Sequence, residues 1–347
     1  MVGVASSKGV VLYAPLDGFV SFFNSPYSPH IGFAAVDVYT GSRRFGSEAP
    51  SPVRGRVRRV FAFEPPSSTW FDAPKVEHML LVECADNKEV WAKILHIQPS
   101  VKEGDKVDVG SPLGHYIRDG YFHPWTDPHM HVELRSCSDP LRARGGYPLK
   151  PLHTNQLRID GALDRKEGYN GIVAKLGERY ALVKLQAPFA YLEPFFGLAA
   201  QVGCGIGLVD GGVPHYQWAG VLGVESGNIS ADVKILGASI GTVQCLSRGA
   251  ALLTCEAADV FVEGLRCVGL SCYLSLKREK CVKVILPTSA SLKIGQRVNL
   301  ELRRGKEQLT TRLNEAFQGL IEHDIYSRSL LRDRREKIAQ SLRSLQE

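Results

Sequence analysis

The chain has 347 residues, of which 44% are hydrophobic and 22% are charged, and its formal net charge is +6. This composition is that of a globular protein and excludes an intrinsically disordered one, while the length predicts two domains and a tail. The positive charge is modest for this length, so it permits attraction to anionic surfaces, but we expect no nucleic-acid partner.

The amino terminus and the cysteines bear on the compartment of the protein. The segment MVGVASSKGVVLYAPLDGF lacks a basic region followed by a continuous apolar region, so it does not predict a signal peptide. The most apolar window, residues 189–209, contains Glu193, Pro194 and Gln201, which argues against a transmembrane segment. The eight cysteines lack CxxC spacing, and we interpret them as buried free thiols. We therefore predict a cytoplasmic protein, with unconventional export as the alternative.

The sequence predicts an all-β domain over residues 1–150, with a curled or sandwiched sheet. Five runs rich in β-branched and aromatic residues are separated by breaks that contain Pro, Gly, Ser or Asn. No long stretch has the apolar period of a helix. The five runs are GVVLYAPL, FAAVDVY, VRGRVRRVFAF, EHMLLVECA and EVWAKILHI.

A segment rich in Pro and Gly, residues 142–155, is the predicted linker to a second β-rich domain over residues 151–303. In that domain, GIVAKLGERYALVKLQ predicts a hairpin around Gly177. The segment CGIGLVDGG fails the GxGxxG spacing because Leu208 occupies the place of the last glycine. We therefore interpret its glycines as turn residues and not as a phosphate-binding loop.

The apolar pattern becomes helical in the tail, residues 304–347. Apolar residues recur three and four positions apart, which predicts an amphipathic, basic helix. Such a helix either packs on the core or mediates self-association or the binding of a protein partner. The apolar positions are Leu309, Leu313, Phe317, Leu320, Ile321 and Ile325.

Two histidines, His129 and His131, lie two residues apart at the start of the strand-like segment PHMHVEL. In a strand they point to the same face, so they can bind a metal, share a metal and a substrate, or be exposed polar positions. Any further metal ligands must come from residues that precede His129 in the sequence. Three segments precede the pair: SPYSPHIGFAAVDVY with His30 and Asp37, then SPVRGRV, then LHIQPSVKEGDKVDVGSPLG with His96.

In this order, over about residues 10–140, the segments resemble the lysostaphin/LytM-type zinc endopeptidases. SPVRGRV resembles the aPvxGxV strand of that family, the segment with His96 its VxxGdxVxxGxxiG stretch, and DPHMHVEL its xGpHLHFEv strand. The resemblance implies zinc (Zn2+) held by Asp37, His131 and a first histidine. It implies His96 and His129 as catalytic residues that orient or deprotonate the water and stabilise the oxyanion. The implied function is a zinc metalloendopeptidase that hydrolyses a peptide or protein substrate through a metal-activated water.

The first metal ligand departs from the family pattern. The family places its first histidine four residues before the aspartate, where this chain has Phe33, and the nearest histidine, His30, lies seven residues before Asp37. Positions seven apart point to opposite faces of a regular strand, so His30 reaches the metal only if a bulge or turn intervenes. Gly32 and the alanines that follow favour a bulge. We predict His30 as the first ligand, with His123 as the alternative.

Simpler interpretations of these residues exist. Asp37 also fits a polar position on an alternating strand, and His96 fits a core histidine with satisfied hydrogen bonds. The segment SVKEGDKVDVGSPLG also resembles the hairpin of biotinyl and lipoyl carrier domains, but the chain lacks the lysine turn of those domains. The alternative function is therefore a catalytically inactive, metallopeptidase-like binding or scaffolding module.

Overall fold

The structure, a computed structural model, describes residues 1–163, 168–224, 229–255 and 258–305. Strands make up 52% of the structure and helix 1%, which confirms the predicted mainly β class. Residues 306–347 of the predicted helical tail lie outside the described residues, and its role stays a prediction. Within the described ranges, no helix has the length and apolar character needed to cross a membrane.

The first 151 residues, all of them described, form short antiparallel strands and one helical turn, α1 (Ser28–Ile31). Each of the five predicted runs contains one strand: β2, β4, β6, β7 and β8 in the list that follows. The strands are β1 (Val2–Ser7), β2 (Val10–Ala14), β3 (Phe19–Ser21), β4 (Ala35–Tyr39), β5 (Glu48–Pro50), β6 (Gly55–Phe63), β7 (Glu77–Cys84), β8 (Val90–Leu95), β9 (Ile97–Pro99), β10 (Lys106–Val107), β11 (Pro112–Tyr116), β12 (Met130–Ser136) and β13 (Lys150–Pro151).

One antiparallel sheet carries most of the candidate site residues. Its strand order is β3-β4-β12-β8-β7-β6-β10, so β12 lies between β4 and β8. Both β4 and β12 are buried almost throughout, because the sheet is covered on both faces. His131 on β12 lies opposite Asp37 on one side and Leu95 on the other. Any polar side chain on these strands is therefore held away from bulk water.

The second part of the chain is also built from antiparallel strands. The predicted hairpin around Gly177 is confirmed by the pairing of β15 with β16 in the list that follows. The strands are β14 (Arg158–Asp160), β15 (Tyr169–Leu176), β16 (Tyr180–Leu185), β17 (Phe189–Leu192), β18 (Phe195–Val202), β19 (Gly205–Val213), β20 (Trp218–Leu222), β21 (Asp232–Ile235), β22 (Ala238–Ser247), β23 (Ala250–Cys255), β24 (Ala258–Val262), β25 (Leu265–Cys267), β26 (Gly269–Cys272), β27 (Leu274–Ser275), β28 (Cys281–Ile285) and β29 (Arg297–Arg304).

Six of these strands form a closed barrel. Each strand pairs with the next in the order β18-β19-β20-β23-β22-β21, and β21 pairs back to β18. The interpretation of CGIGLVDGG as a turn was wrong, because most of this segment is strand β19. Its glycines let backbones approach closely, since a Cβ on Gly211 would lie 2.8 Å from Cα of Ala219.

The two parts of the chain share a hydrophobic core. Phe22 and Phe23, between β3 and α1, pack in one cluster with Trp218 of the barrel. The indole N–H of Trp218 donates to the backbone carbonyl of Ser25 at 3.0 Å, and β3 pairs with β27. The segment that leads into α1 is therefore held by the barrel.

The cysteine prediction is confirmed in part. All eight cysteines are free, and five of them are buried. Cys137 and Cys204 are exposed, so for these two the prediction of burial was wrong.

We predict that Gly220→Ala destabilises the protein by about 1–3 kcal/mol, the usual cost of overpacking a core. A Cβ on Gly220 would lie 2.0 Å from a ring carbon of Phe23, so the ring must move. The measurement is the free energy of unfolding from denaturant titration. The control is Gly205→Ala, whose Cβ would meet only a backbone oxygen at 3.6 Å. Equal stability of the two variants would contradict this account.

Candidate metal centre

A helical turn, and not a bulge, brings His30 to the face of β4 that carries Asp37. Pro29 at the start of α1 suits the first turn of a helix because its missing N–H needs no partner there. After the turn, Phe33 adopts a positive φ of 57° and packs edge-on against Phe23 at 5.2 Å between ring centroids. The chain then enters β4 at Ala35, so the turn takes up the three additional residues of the seven-residue spacing.

Three candidate ligand atoms converge at one point. Nε2 of His30 lies 3.1 Å from Nδ1 of His131 and 3.4 Å from Oδ1 of Asp37, and the last two atoms are 3.1 Å apart. The three residues are at most 7% exposed. Ligand atoms at about 2.0–2.1 Å from a tetrahedral zinc lie about 3.3 Å from one another. The donor set and its spacing therefore fit zinc.

The outer hydrogen bonds of both imidazoles turn a lone pair toward this point. Nδ1–H of His30 donates to the carbonyl oxygen of Phe22 at 2.8 Å, which leaves the lone pair on Nε2. Nε2 of His131 lies 3.4 Å from Oε1 of Glu133, and donation to this carboxylate leaves the lone pair on Nδ1. Such outer partners fix the orientation of metal-binding histidines.

The carboxylate of Glu133 can only accept hydrogen bonds. Burial alone would raise its pKa, but the hydrogen bond with His131 and the charge of Lys93 lower the pKa to about 2. It also pairs with Lys93 at 3.0 Å and with Arg135 at 2.7 Å. In these tautomers His30 and His131 present two lone pairs to the carboxylate of Asp37, and three acceptors facing one another require a cation or a proton between them.

The same conclusion follows from the pKa values of His30 and Asp37. Burial alone would lower the pKa of His30, but the charge of Asp37 and hydrogen bonds with Asp37 and Phe22 outweigh it and raise the pKa. Burial alone would raise the pKa of Asp37, but the charge of His30 and the hydrogen bonds with His131 and His30 hold that pKa well below its usual value. The cluster favours positive charge at its centre.

The other two predicted residues, His96 and His129, lie beside this cluster with their ring centroids 5.3 Å apart. Nδ1–H of His129 donates to the carbonyl of Asp127 at 2.9 Å, so its Nε2 lone pair points inward, 3.7 Å from Oδ2 of Asp37. Burial lowers the pKa of His129 to about 4, despite the opposing charge of Asp37. His129 is therefore a neutral proton acceptor.

His96 has the opposite electrostatic environment. Its Nδ1–H lies 2.7 Å from Oδ2 of Asp119 and 3.2 Å from Oε2 of Glu77, both buried carboxylates. Burial alone would lower the pKa of His96, but the charge and hydrogen bond of Asp119, followed by those of Glu77, raise it to about 10. His96 is therefore a cationic donor next to a neutral acceptor.

The side chains of Asp37, His96, His129 and His131 line a narrow cleft with a volume of about 30 Å³, which has room for about one or two water molecules. The alternative ligand His123 lies in its wall, stacked on Trp125 at 4.7 Å, and is not among the three residues whose ligand atoms converge. In the described part of the chain, Oδ1 of buried Asn24 has no hydrogen-bond partner. Other side chains in the wall are Tyr27, Tyr121, Phe122, Thr126 and Tyr216.

Sequence reasoning missed the residues that surround the predicted set. Glu133 had a local signal, because it follows His131 by two positions on a strand and so shares its face. Glu77 and Asp119 had none, since they meet His96 only through the packing of distant segments. Asn24 also had no signal in the sequence.

Residues 14–151 match the family model described as Domain of unknown function (DUF8155) N-terminal domain. Residues 165–303 match the model of the DUF8155 C-terminal domain. Both matches are to one family. No curated protein matches the chain.

Several solved structures of peptidases are similar to part of the chain. The catalytic domain of a mutant of the prophage-encoded M23 protein EnpA from Enterococcus faecalis is 24% identical, with 33% of this chain and 72% of that chain covered and a TM-score of 0.22. A zinc-containing peptidase from Vibrio cholerae is 23% identical, with 32% and 29% covered and a TM-score of 0.22. Lysostaphin is 13% identical, with 72% and 99% covered and a TM-score of 0.26.

We predict that the purified protein binds about one zinc ion per chain. His30→Ala, Asp37→Ala and His131→Ala should each abolish binding, because each removes one of three converging ligand atoms. His96→Ala and His129→Ala should retain the metal. Elemental analysis and zinc titration measure both expectations. Equal loss of zinc in all five variants would show that the ligand set is wrong.

Proposed function

We propose that the protein is a zinc-dependent metalloendopeptidase that hydrolyses a bond in a peptide or protein substrate. The observation that carries the proposal is the convergence of Nε2 of His30, Oδ1 of Asp37 and Nδ1 of His131 within 3.1–3.4 Å, at a cleft that Asp37 and His131 line together with His96 and His129. Catalytic zinc sites use three protein ligands and keep one position open, whereas structural sites use four.

His30, Asp37 and His131 would hold the ion. A zinc ion there would supply Lewis acidity, which polarises a peptide carbonyl and lowers the pKa of water. The carboxylate of Glu133 and the carbonyl of Phe22 hold the two imidazoles in the tautomers that such binding needs.

His129 and His96 have complementary roles in this proposal. His129 accepts a proton from the attacking water at Nε2, because its Nδ1–H is already bound to the carbonyl of Asp127. His96 is held by Asp119 and Glu77 through Nδ1, so its protonated Nε2 is available to donate to the substrate oxygen on which negative charge develops.

One observation favours the alternative, a catalytically inactive binding module. The cleft volume of about 30 Å³ is too small for a polypeptide segment, so substrate entry requires the side chains in its wall to move. Tyr27 and Tyr121 pack edge-on at 5.5 Å between ring centroids and form part of that wall. An inactive module would retain the buried ligand cluster without needing this movement.

We predict that His129→Ala and His96→Ala lower peptidase turnover by about 10²–10⁴-fold while zinc stays bound, since each removes a proton-transfer or oxyanion group. Hydrolysis of a peptide panel, measured by mass spectrometry, gives the turnover. The control is His115→Ala, an exposed histidine on β11 that lies outside the cleft. If the zinc-loaded parent hydrolyses no peptide in the panel, the inactive module is the better description.

We further predict that Asn24→Ala lowers kcat/KM by about tenfold without changing zinc affinity. A buried acceptor without a partner costs roughly 1–3 kcal/mol, which a substrate N–H would recover, and the hydrogen bond contributes about 1 kcal/mol net. Steady-state kinetics on a cleaved peptide measures the effect. A kcat/KM equal to that of the parent would exclude Asn24 from substrate binding.

A further inference from the structure

We infer that the second part of the chain, which includes the barrel, is a positioning element for the metal centre in the first part. Two of its buried ionisable residues, Asp210 on β19 and Lys283 on β28, reach the segments that fix His30 and His129. This inference rests on the proposed function and gives the second part its role in it.

Asp210 holds the backbone that orients His30. Its side chain is fully buried, and its Oδ1 accepts the hydroxyl hydrogen of Ser21 at 2.6 Å. Its Oδ2 accepts the backbone N–H of Phe22 at 2.5 Å and that of Phe23 at 3.2 Å. The carbonyl of Phe22 in turn accepts Nδ1–H of His30. The barrel is thus connected to the candidate ligand His30 through Phe22, by one hydrogen bond to its N–H and one to its carbonyl.

Joining the two parts does not explain this buried carboxylate. Apolar contacts already join them, because one hydrophobic cluster contains residues of both, including Phe22 and Trp218. Burying a carboxyl group costs free energy even when it is hydrogen-bonded, so its burial is weak evidence of a stabilising role. The three donors that Asp210 binds all belong to residues 21–23, directly before the turn that carries His30. Its position therefore fits the fixing of that segment.

The same arrangement recurs at His129. The ammonium group of Lys283 is fully buried, lies 2.5 Å from Oδ2 of Asp127, and donates to the carbonyl of Trp125 at 2.8 Å. The hydroxyl of Tyr180, also from the second part, donates to Oδ1 of Asp127 at 2.7 Å. The backbone carbonyl of Asp127 accepts Nδ1–H of His129.

The two contacts have different expected consequences. Because Asp210 holds the backbone of Phe22, whose carbonyl is the outer partner of His30, Asp210→Ala should weaken zinc binding by up to about 10–100-fold, the effect of losing such a partner. Because Lys283 acts through His129, Lys283→Met should leave zinc affinity within a few-fold of the parent and lower turnover instead. If the second part had a purely structural role, the two variants would not separate an effect on zinc affinity from an effect on turnover.

The conservative variant Asp210→Asn provides the rescue. Its amide oxygen can accept the N–H groups of Phe22 and Phe23, and its amide nitrogen can donate to the hydroxyl of Ser21, which also accepts. Zinc affinity should therefore return to within a few-fold of the parent. Val260→Ala, which truncates a fully buried valine in the core of the second part, is the control for loss of stability alone.

The experiment measures the zinc dissociation constant of the full chain and its four variants by competition with a chelating dye. Metal-free samples give a second readout, the ¹⁵N-resolved signal of the proton on Nδ1 of His30. We expect Asp210→Ala to weaken zinc binding and lose this signal, and Asp210→Asn and Val260→Ala to keep both. The inference is overturned if zinc binding and the His30 signal of Asp210→Ala are both the same as those of the parent. If the parent binds no zinc, and Asp210→Ala is the only variant in which the His30 signal is lost, the positioning role stands and the proposal of a zinc peptidase does not.

Discussion

Two imidazole lone pairs and a carboxylate oxygen meet in a place that water barely reaches, and this electrostatic constraint organises the structure around it. Such a cluster repels itself unless a positive charge lies at its centre. Each of its two imidazoles is held by a further group: His30 by a backbone carbonyl, and His131 by Glu133, which is itself paired with Lys93 and Arg135. The carbonyl of Phe22 and the carboxylate of Glu133 accept hydrogen bonds and cannot donate them, so they keep both imidazole lone pairs directed at the centre of the cluster.

The sheet order makes this convergence possible. Because β12 lies between β4 and β8, it places His131 directly opposite Asp37 and brings the end of β8, with His96, to the same edge. His96 itself has a positive φ of 71°, and its backbone N–H donates to Glu77 at 3.0 Å. The carboxylate that receives its imidazole thus also fixes its backbone, so the ring and the main chain are oriented together.

Much of the fold and the site could be predicted from the sequence because the information was local. Runs rich in β-branched and aromatic residues indicated β4, β7 and β8, and the spacing of His129 and His131 indicated a shared face. The glycine-rich β19 was mistaken for a turn because glycine is typical of turns, whereas here Gly207 and Gly211 allow the neighbouring strand β20 to approach closely. The carboxylates around His96 could not be predicted, since only the packing of residues distant in the sequence brings them together.

Asp210 and Gly220 also constrain how the two parts of the chain can change over evolutionary time. Ser21 needs an acceptor at position 210, and the ring of Phe23 needs a residue without a side chain at position 220. A substitution on either side of this boundary removes a fit that only a second substitution on the other side can restore. The two parts are therefore expected to be inherited as a pair, and exchange of one part for that of a distant relative should succeed only when positions 21, 23, 210 and 220 are exchanged together.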